Sequence, residues 1–141
     1  MLIAVSIKEP DLTSELSEAF GRSKYFLLLD SVTYASEYVL NPYASELGGA
    51  GIQSARFLIE RKVEAVITAF MGFNTLRFFD SLNVKVYACK NCKVEESIKL
   101  FKDSELNQLK PETIDNFKRR GRHRNRKKIF KKNNNSIVNK S

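Results

Sequence analysis

The sequence predicts a three-layer α/β domain built on a mixed sheet of about five strands. Three observations predict it. Leu2–Ile7, Tyr25–Leu29 and Ala65–Phe70 are short, mainly apolar runs, the pattern of strands buried on both faces. The segments between the later runs carry helical periodicity instead. The second and third strands are separated by only about half a dozen residues, which suits an antiparallel hairpin rather than a crossover.

Leu2–Ile7 is rich in β-branched residues and fits a central first strand. Pro10 to Gly21 is polar and irregular, with room for one helical turn. Tyr25–Leu29 ends at Asp30, and Glu37–Leu40 is a weaker third strand stopped by Asn41-Pro42. Gly48-Gly49-Ala50-Gly51 opens a helix to about Arg61, with Ile52, Ala55, Phe57, Leu58 and Ile59 on its buried face. Ala65–Phe70 is the fourth strand. Asn74 is placed to cap a helix over Thr75–Leu82, with Leu76, Phe79 and Leu82 inward. Val84–Ala88 is the fifth strand, parallel to the fourth because a helix joins them. Val94–Phe101 is the last helix, with Glu95 and Glu96 in its first turn and Lys102 near its end, as the helix dipole favours.

The 141 residues are 43% hydrophobic, enough for one core with an appendage. No apolar run approaches the ~20 residues of a membrane-spanning helix. Leu2–Ile7 ends in Lys8-Glu9-Pro10 and does not read as a signal peptide, and two cysteines three apart make no disulfide framework. The expectation is a cytoplasmic protein with no membrane partner. Its net charge of +8 is unevenly placed: residues 1–110 hold 13 basic and 14 acidic side chains, residues 111–141 hold 11 and 2. The alkaline character thus belongs to the last thirty-one residues, read as a mostly disordered basic tail after a domain over 1–110, with a short helix across Pro111–Phe117. Its cationic stretch, 118–132, would attract phosphate backbones without reading sequence, or else serve as a solubilising extension.

Within the domain, Gly48–Gln53 places three glycines at a helix start, where backbone amides hold an anion or where glycine merely permits a tight turn. No Gly-Lys-Ser/Thr follows, so it is not a nucleotide loop. Arg22, after Phe20-Gly21, offers a fork of donors to the same anion or to a surface salt bridge. Cys89-Lys90-Asn91-Cys92, at the end of the fifth strand, is a soft-metal ligand pair, a redox pair, or two ordinary loop residues; it is half of a tetrahedral zinc site. Phe70, Met71, Phe73, Phe78 and Phe79 form an aromatic cluster that suits core, subunit interface or a soft pocket wall. The first strand carries no carboxylate and the only histidine is His123, which argues against two-metal nuclease and Ser-His-Asp chemistry.

The chain resembles the dinitrogenase iron–molybdenum cofactor biosynthesis family, the NifX-like group that includes the C-terminal domain of NifB. The matching stretches, in the family's order, are Leu2–Val5, Phe20-Gly21-Arg22 with Tyr25-Phe26, Asn41-Pro42, Gly48–Gln53, Ala65–Thr68, Gly72-Phe73-Asn74, Val84–Tyr87 and Val94–Ile98, covering about residues 1–106. Two positions depart from the pattern: Ala19 stands where members often have His, and Phe70 where they often have Asn. The resemblance implies a ribonuclease-H-like motif and a non-catalytic carrier or chaperone of an anionic iron–sulfur species or iron–molybdenum cofactor precursor, working with metallocluster assembly proteins. Set beside the residue chemistry above, that role makes Arg22, Gly48, Gly49, Gly51, Gln53, Gly72 and Asn74 the expected cofactor-binding residues and Cys89 and Cys92 the expected metal ligands. The reading from another class is an interaction protein whose basic tail binds nucleic acid or an acidic partner.

Overall fold

A computed structural model describes residues 1–112. β1 (Leu2–Ile7) lies at the centre, antiparallel to β2 (Tyr25–Asp30) and parallel to β4 (Ala65–Thr68). β3 (Ser36–Leu40) pairs with β2, and β5 (Lys85–Ala88) runs parallel to β4. A sixth strand, β6 (Asn107–Leu109), adds antiparallel to β5, giving the order β3-β2-β1-β4-β5-β6. The mixed α/β sheet is as the sequence predicts, with one strand more. Asn107-Gln108-Leu109 carries no apolar run because an edge strand needs none: two of its three side chains are exposed. β1, β2 and β4 read as continuous apolar runs because neighbours cover both of their faces.

The strand alternation sorts the core into two layers. Ile3, Val5 and Ile7 of β1, with Leu27, Ala65 and Ile67, face α3 (Val94–Lys102), meeting Val94 and the partly buried Ile98 and Phe101. The opposite face carries Ser6 and Thr68, whose hydroxyls hydrogen-bond at 2.8 Å. There Phe26 meets Phe57 of α1 (Ala50–Glu60), while Phe20 packs between Phe26 and Phe79 of α2 (Phe73–Ser81). Leu82, expected inward, lies beyond the end of α2 and is 46% exposed. β4 ends at Thr68, two residues short of the expected Phe70.

The helix starts also differ from expectation. Gly72, in extended conformation, is the N-cap of α2, and Asn74 is inside the helix with no capping bond. The Pro10–Gly21 segment holds one 3-10 turn, Phe20–Arg22. The β2–β3 turn is held by Asp30, whose carboxylate accepts from the amides of Val32 (2.8 Å) and Thr33 (3.0 Å). These bonds favour the charged form and hold the Asp30 carboxyl below the ordinary carboxylate value. Their contribution is present above the unfolded-state value and is lost as pH falls through the lowered one.

One consequence of topology sets the site. β1, β4 and β5 are mutually parallel, and β3 runs the same way because β2 opposes both β1 and β3. All four strands end at one edge of the sheet. Helices α1, α2 and α3 follow β3, β4 and β5, so all three begin there. In open α/β sheets that carboxyl edge is where ligands bind.

Residues 1–110 form one unit by their contacts. The expected helix past Glu112, the disordered tail and the 118–132 cation run lie outside the described residues. Among the described residues, no helix is long and apolar enough to cross a membrane.

Candidate functional site

Three helix N-termini share the edge, and they are not equivalent. The first turn of α3 is filled: the amides of Val94 and Glu95 donate to the carbonyls of Ser14 (2.8 Å) and Leu12 (3.1 Å), and the Glu96 carboxylate accepts from Lys93 N. Glu95 and Glu96 also offset its dipole. α1 and α2 lack both features. Neither has a side-chain cap or an acidic residue in its first turn. Among the described residues, no oxygen accepts from the amides of Ala50, Gly51 and Ile52 in α1, nor from those of Asn74 and Thr75 in α2. Two uncompensated positive dipole ends therefore remain.

They also lie side by side. A Cβ on Gly51 would run into Thr75 Oγ1, so the second residue of α1 touches the first turn of α2. A Cβ on Gly21 would lie 2.7 Å from Gly51 N and 2.8 Å from Gly51 Cα, so the 3-10 turn presses backbone to backbone against the start of α1. Gly21 and Gly51 are thus packing glycines. Gly49 is different: it enters α1 with φ +73°, a left-handed conformation that favours glycine, and its side-chain position is open space. Gly48 and Gly72 are likewise open on that side. Gly48, Gly49, Gln53, Gly72 and Asn74 are all exposed.

Arg22 does something the sequence does not announce. Among the described residues it forms no surface salt bridge; its Nη1 donates to the carbonyls of Ala44 (3.1 Å) and Glu46. It braces the loop that leads into Gly48-Gly49. That loop is anchored at its other end by Asn41, whose buried amide donates to Ser23 O and Ser54 Oγ, both at 2.9 Å. The unbonded amides of α1 are thereby preceded by a loop tied down at two points.

The cysteines sit elsewhere on the edge. Cys89 and Cys92 are joined in a disulfide, with Cα atoms 6.1 Å apart, and in that state neither sulfur is a thiolate ligand. Among the described residues there is no group of three His, Cys, Asp or Glu side chains placed to hold a metal. Cys92 lines an open groove of about 330 Å³ with Lys8, Glu15, Glu18, Phe70 and Lys90. Of the residues singled out from sequence as ligands, only Cys92 lines this groove. Its charges largely cancel: Lys8 pairs with Glu15 at 3.1 Å and approaches Glu18 at 3.9 Å. Lys8, Glu15 and Glu18 come from the segment between β1 and the 3-10 turn and Lys90 from the β5–α3 loop, so no local pattern marks them.

The aromatic cluster divides. Met71 and Phe79 are core, Phe73 and Phe78 are half-buried, and Phe70 is 57% exposed on the groove wall. The carbonyl of Phe70 accepts from Phe20 N at 3.0 Å, which ties the β4–α2 loop to the 3-10 turn.

Known proteins share this architecture. The apo orange protein of Desulfovibrio gigas superimposes with a TM-score of 0.73 at 26% identity, over 77% of this chain and 92% of that one. A candidate NifB protein from Thermotoga, assigned to the DUF35 family, gives 0.68 at 29% identity, again over 77% and 92%. An uncharacterized protein of Methanocaldococcus jannaschii is 26% identical over 108 residues, 74% of this chain and 92% of its own length. Residues 1–104 match the model of the dinitrogenase iron-molybdenum cofactor family, and the chain belongs to that family.

Proposed function

We propose that this protein is a non-catalytic carrier of an anionic iron–sulfur or metal-cofactor species in metallocluster assembly, and that the cargo sits on the paired starts of α1 and α2. The observation that carries this reading is the contrast among the three helix N-termini: α3 is filled and charge-compensated, while the amides of Ala50, Gly51 and Ile52 in α1 and of Asn74 and Thr75 in α2 have no acceptor among the described residues and no acidic side chain in their first turns. Hydrogen-bond donors and dipole ends at two adjoining helix starts favour a polyanion such as a sulfide-rich cluster. The ends of Gly48-Gly49 and Gly72 leave room for close approach. Arg22 acts here by ordering the 43–49 loop, and Gln53 and Asn74 stand exposed beside the two first turns. Family membership supports the chemical class of cargo.

Gly48→Asp tests the reading. Gly48 has open space for a side chain, and among the described glycines positive φ is confined to Gly49, so the substitution leaves the fold intact. It sets a carboxylate against the first turn of α1, where it competes with an anionic ligand while favouring the helix. After anaerobic reconstitution with iron and sulfide, the variant retains at least about tenfold less metal per chain than the parent, as expected for ~1.4 kcal/mol or more of lost binding, and its Tm is unchanged or higher. Equal retention removes the site.

The charge segregation favours a second reading, an interaction protein whose basic segment 118–132 binds nucleic acid or an acidic partner. RNA retention would then fall steeply with salt, and a 1–110 chain would lose it. A 1–110 chain that binds RNA as well as the full chain removes this reading.

A further inference from the structure

The Cys89–Cys92 bridge is placed as a chemical group rather than as a staple. It closes a ring of only four residues, so it restrains little of the unfolded chain. Both cysteines are already fixed without it. Cys89 N donates to Thr68 O at 3.0 Å, continuing the β4–β5 ladder, and Cys92 O accepts from Leu16 N at 3.2 Å. Val94 N, two residues on, is bonded to Ser14 O. The fold therefore holds both residues in position whichever state the sulfurs take. Both cysteines belong to one core cluster with Ile7, Ile67 and Val94, Cys89 4% and Cys92 9% exposed; of the two, Cys92 is the one that lines the open groove. Lys90, beside Cys92 on the groove wall, has no ion-pair partner among the described residues and favours an incoming thiolate.

We infer that Cys89–Cys92 is a site of reversible thiol–disulfide exchange, entered at Cys92 through the groove, with a dithiol as its co-reactant. One thiolate of the dithiol attacks Cys92 Sγ. The Cys89–Cys92 bond breaks, and Cys89 leaves as a thiolate and takes up a proton. The second thiolate of the dithiol then attacks its own sulfur in the mixed disulfide and releases Cys92. Two electrons pass to the protein, whose disulfide becomes two thiols, and the dithiol becomes a disulfide. This inference is independent of the cargo site on α1 and α2, which shares no residue with it.

The test uses the full chain under native conditions, with dithiothreitol as the dithiol and maleimide labelling to count free thiols by mass. Reduction in native buffer should proceed within about tenfold of its rate in guanidinium, because the sulfur is reachable without unfolding. The far-UV spectrum should be the same before and after. A native rate lower by roughly a thousandfold, tracking global unfolding, makes the bridge a structural staple and overturns the inference. Loss of the fold on reduction overturns it as well. Direction of entry is read from single-cysteine chains with glutathione disulfide: Cys92 in Cys89→Ser should form its adduct at least about tenfold faster than Cys89 in Cys92→Ser. Equal rates, or the reverse order, contradict entry at Cys92.

Discussion

Phe20→Ala should cost about 3–5 kcal/mol of folding free energy, the range for emptying a fully buried aromatic site. Phe20 is 2% exposed, with ring centroids 5.4 Å from Phe26 and 5.5 Å from Phe79, so it bridges the sheet and α2. Removing it leaves a cavity that neither neighbour can close, because one sits on a central strand and the other on a packed helix. At roughly 4–8 °C per kcal/mol for a domain of this size, Tm should fall by more than about 12 °C. The damage should be local before it is global. Phe20 also holds the 3-10 turn and, through its amide, the carbonyl of Phe70. Native-state hydrogen exchange should speed up first in Phe20–Ser23 and in the opening turn of α1. A variant within about 1 kcal/mol of the parent would show that this aromatic contact is dispensable.

The second large effect is expected from adding atoms. Gly21→Val places a Cβ within 2.7–2.8 Å of the backbone of Gly51, and backbone cannot swing aside as a side chain can. The turn and the start of α1 must part, at about 3 kcal/mol or more, the upper range for overpacking. Urea unfolding measures it directly. Gly48→Ala is the matched control: the same atom enters open space and should stay within about 0.5 kcal/mol of the parent. If both glycines tolerate substitution equally, the close approach of the 3-10 turn to α1 is not part of the native packing. The two variants also bear on function, since Gly21 fixes where the α1 amides point while Gly48 only borders them.

What was legible in the sequence follows from which forces act locally. Leu2–Ile7, Tyr25–Leu29 and, apart from its last two residues, Ala65–Phe70 were readable because central strands must be apolar on both faces. The glycines at 48, 49 and 51 marked the start of α1 correctly. Asn74 marked the start of α2 two residues late, because a good capping residue next to Gly72 says nothing about which of the two the loop can reach. β6 was illegible since an exposed edge strand of three residues carries no pattern. The role of Gly21 depends on Gly51, thirty residues away, and no spacing rule links them. Arg22 was recognisable as a donor, but its acceptors are main-chain carbonyls, to which any residue type contributes alike. The open amides of α1 could be anticipated from composition. That α3 is filled by the carbonyls of Leu12 and Ser14 could not, and this contrast is what separates one helix start from another as a site. The groove beside Cys92 combines loops around Lys8, Glu15, Phe70 and Lys90, and only the folded sheet edge brings them together.

The central claim concerns location: an anionic cargo rests on the adjoining starts of α1 and α2, and not in the groove. Backbone amide NMR of the full chain, before and after anaerobic loading with iron and sulfide, tests it most directly. The account predicts that the amides of Ala50, Gly51, Ile52, Asn74 and Thr75 shift or broaden most, while those of Lys8, Lys90 and Cys92 stay in place. Changes centred on Lys8, Lys90 and Cys92, with the α1 and α2 amides unmoved, would contradict it.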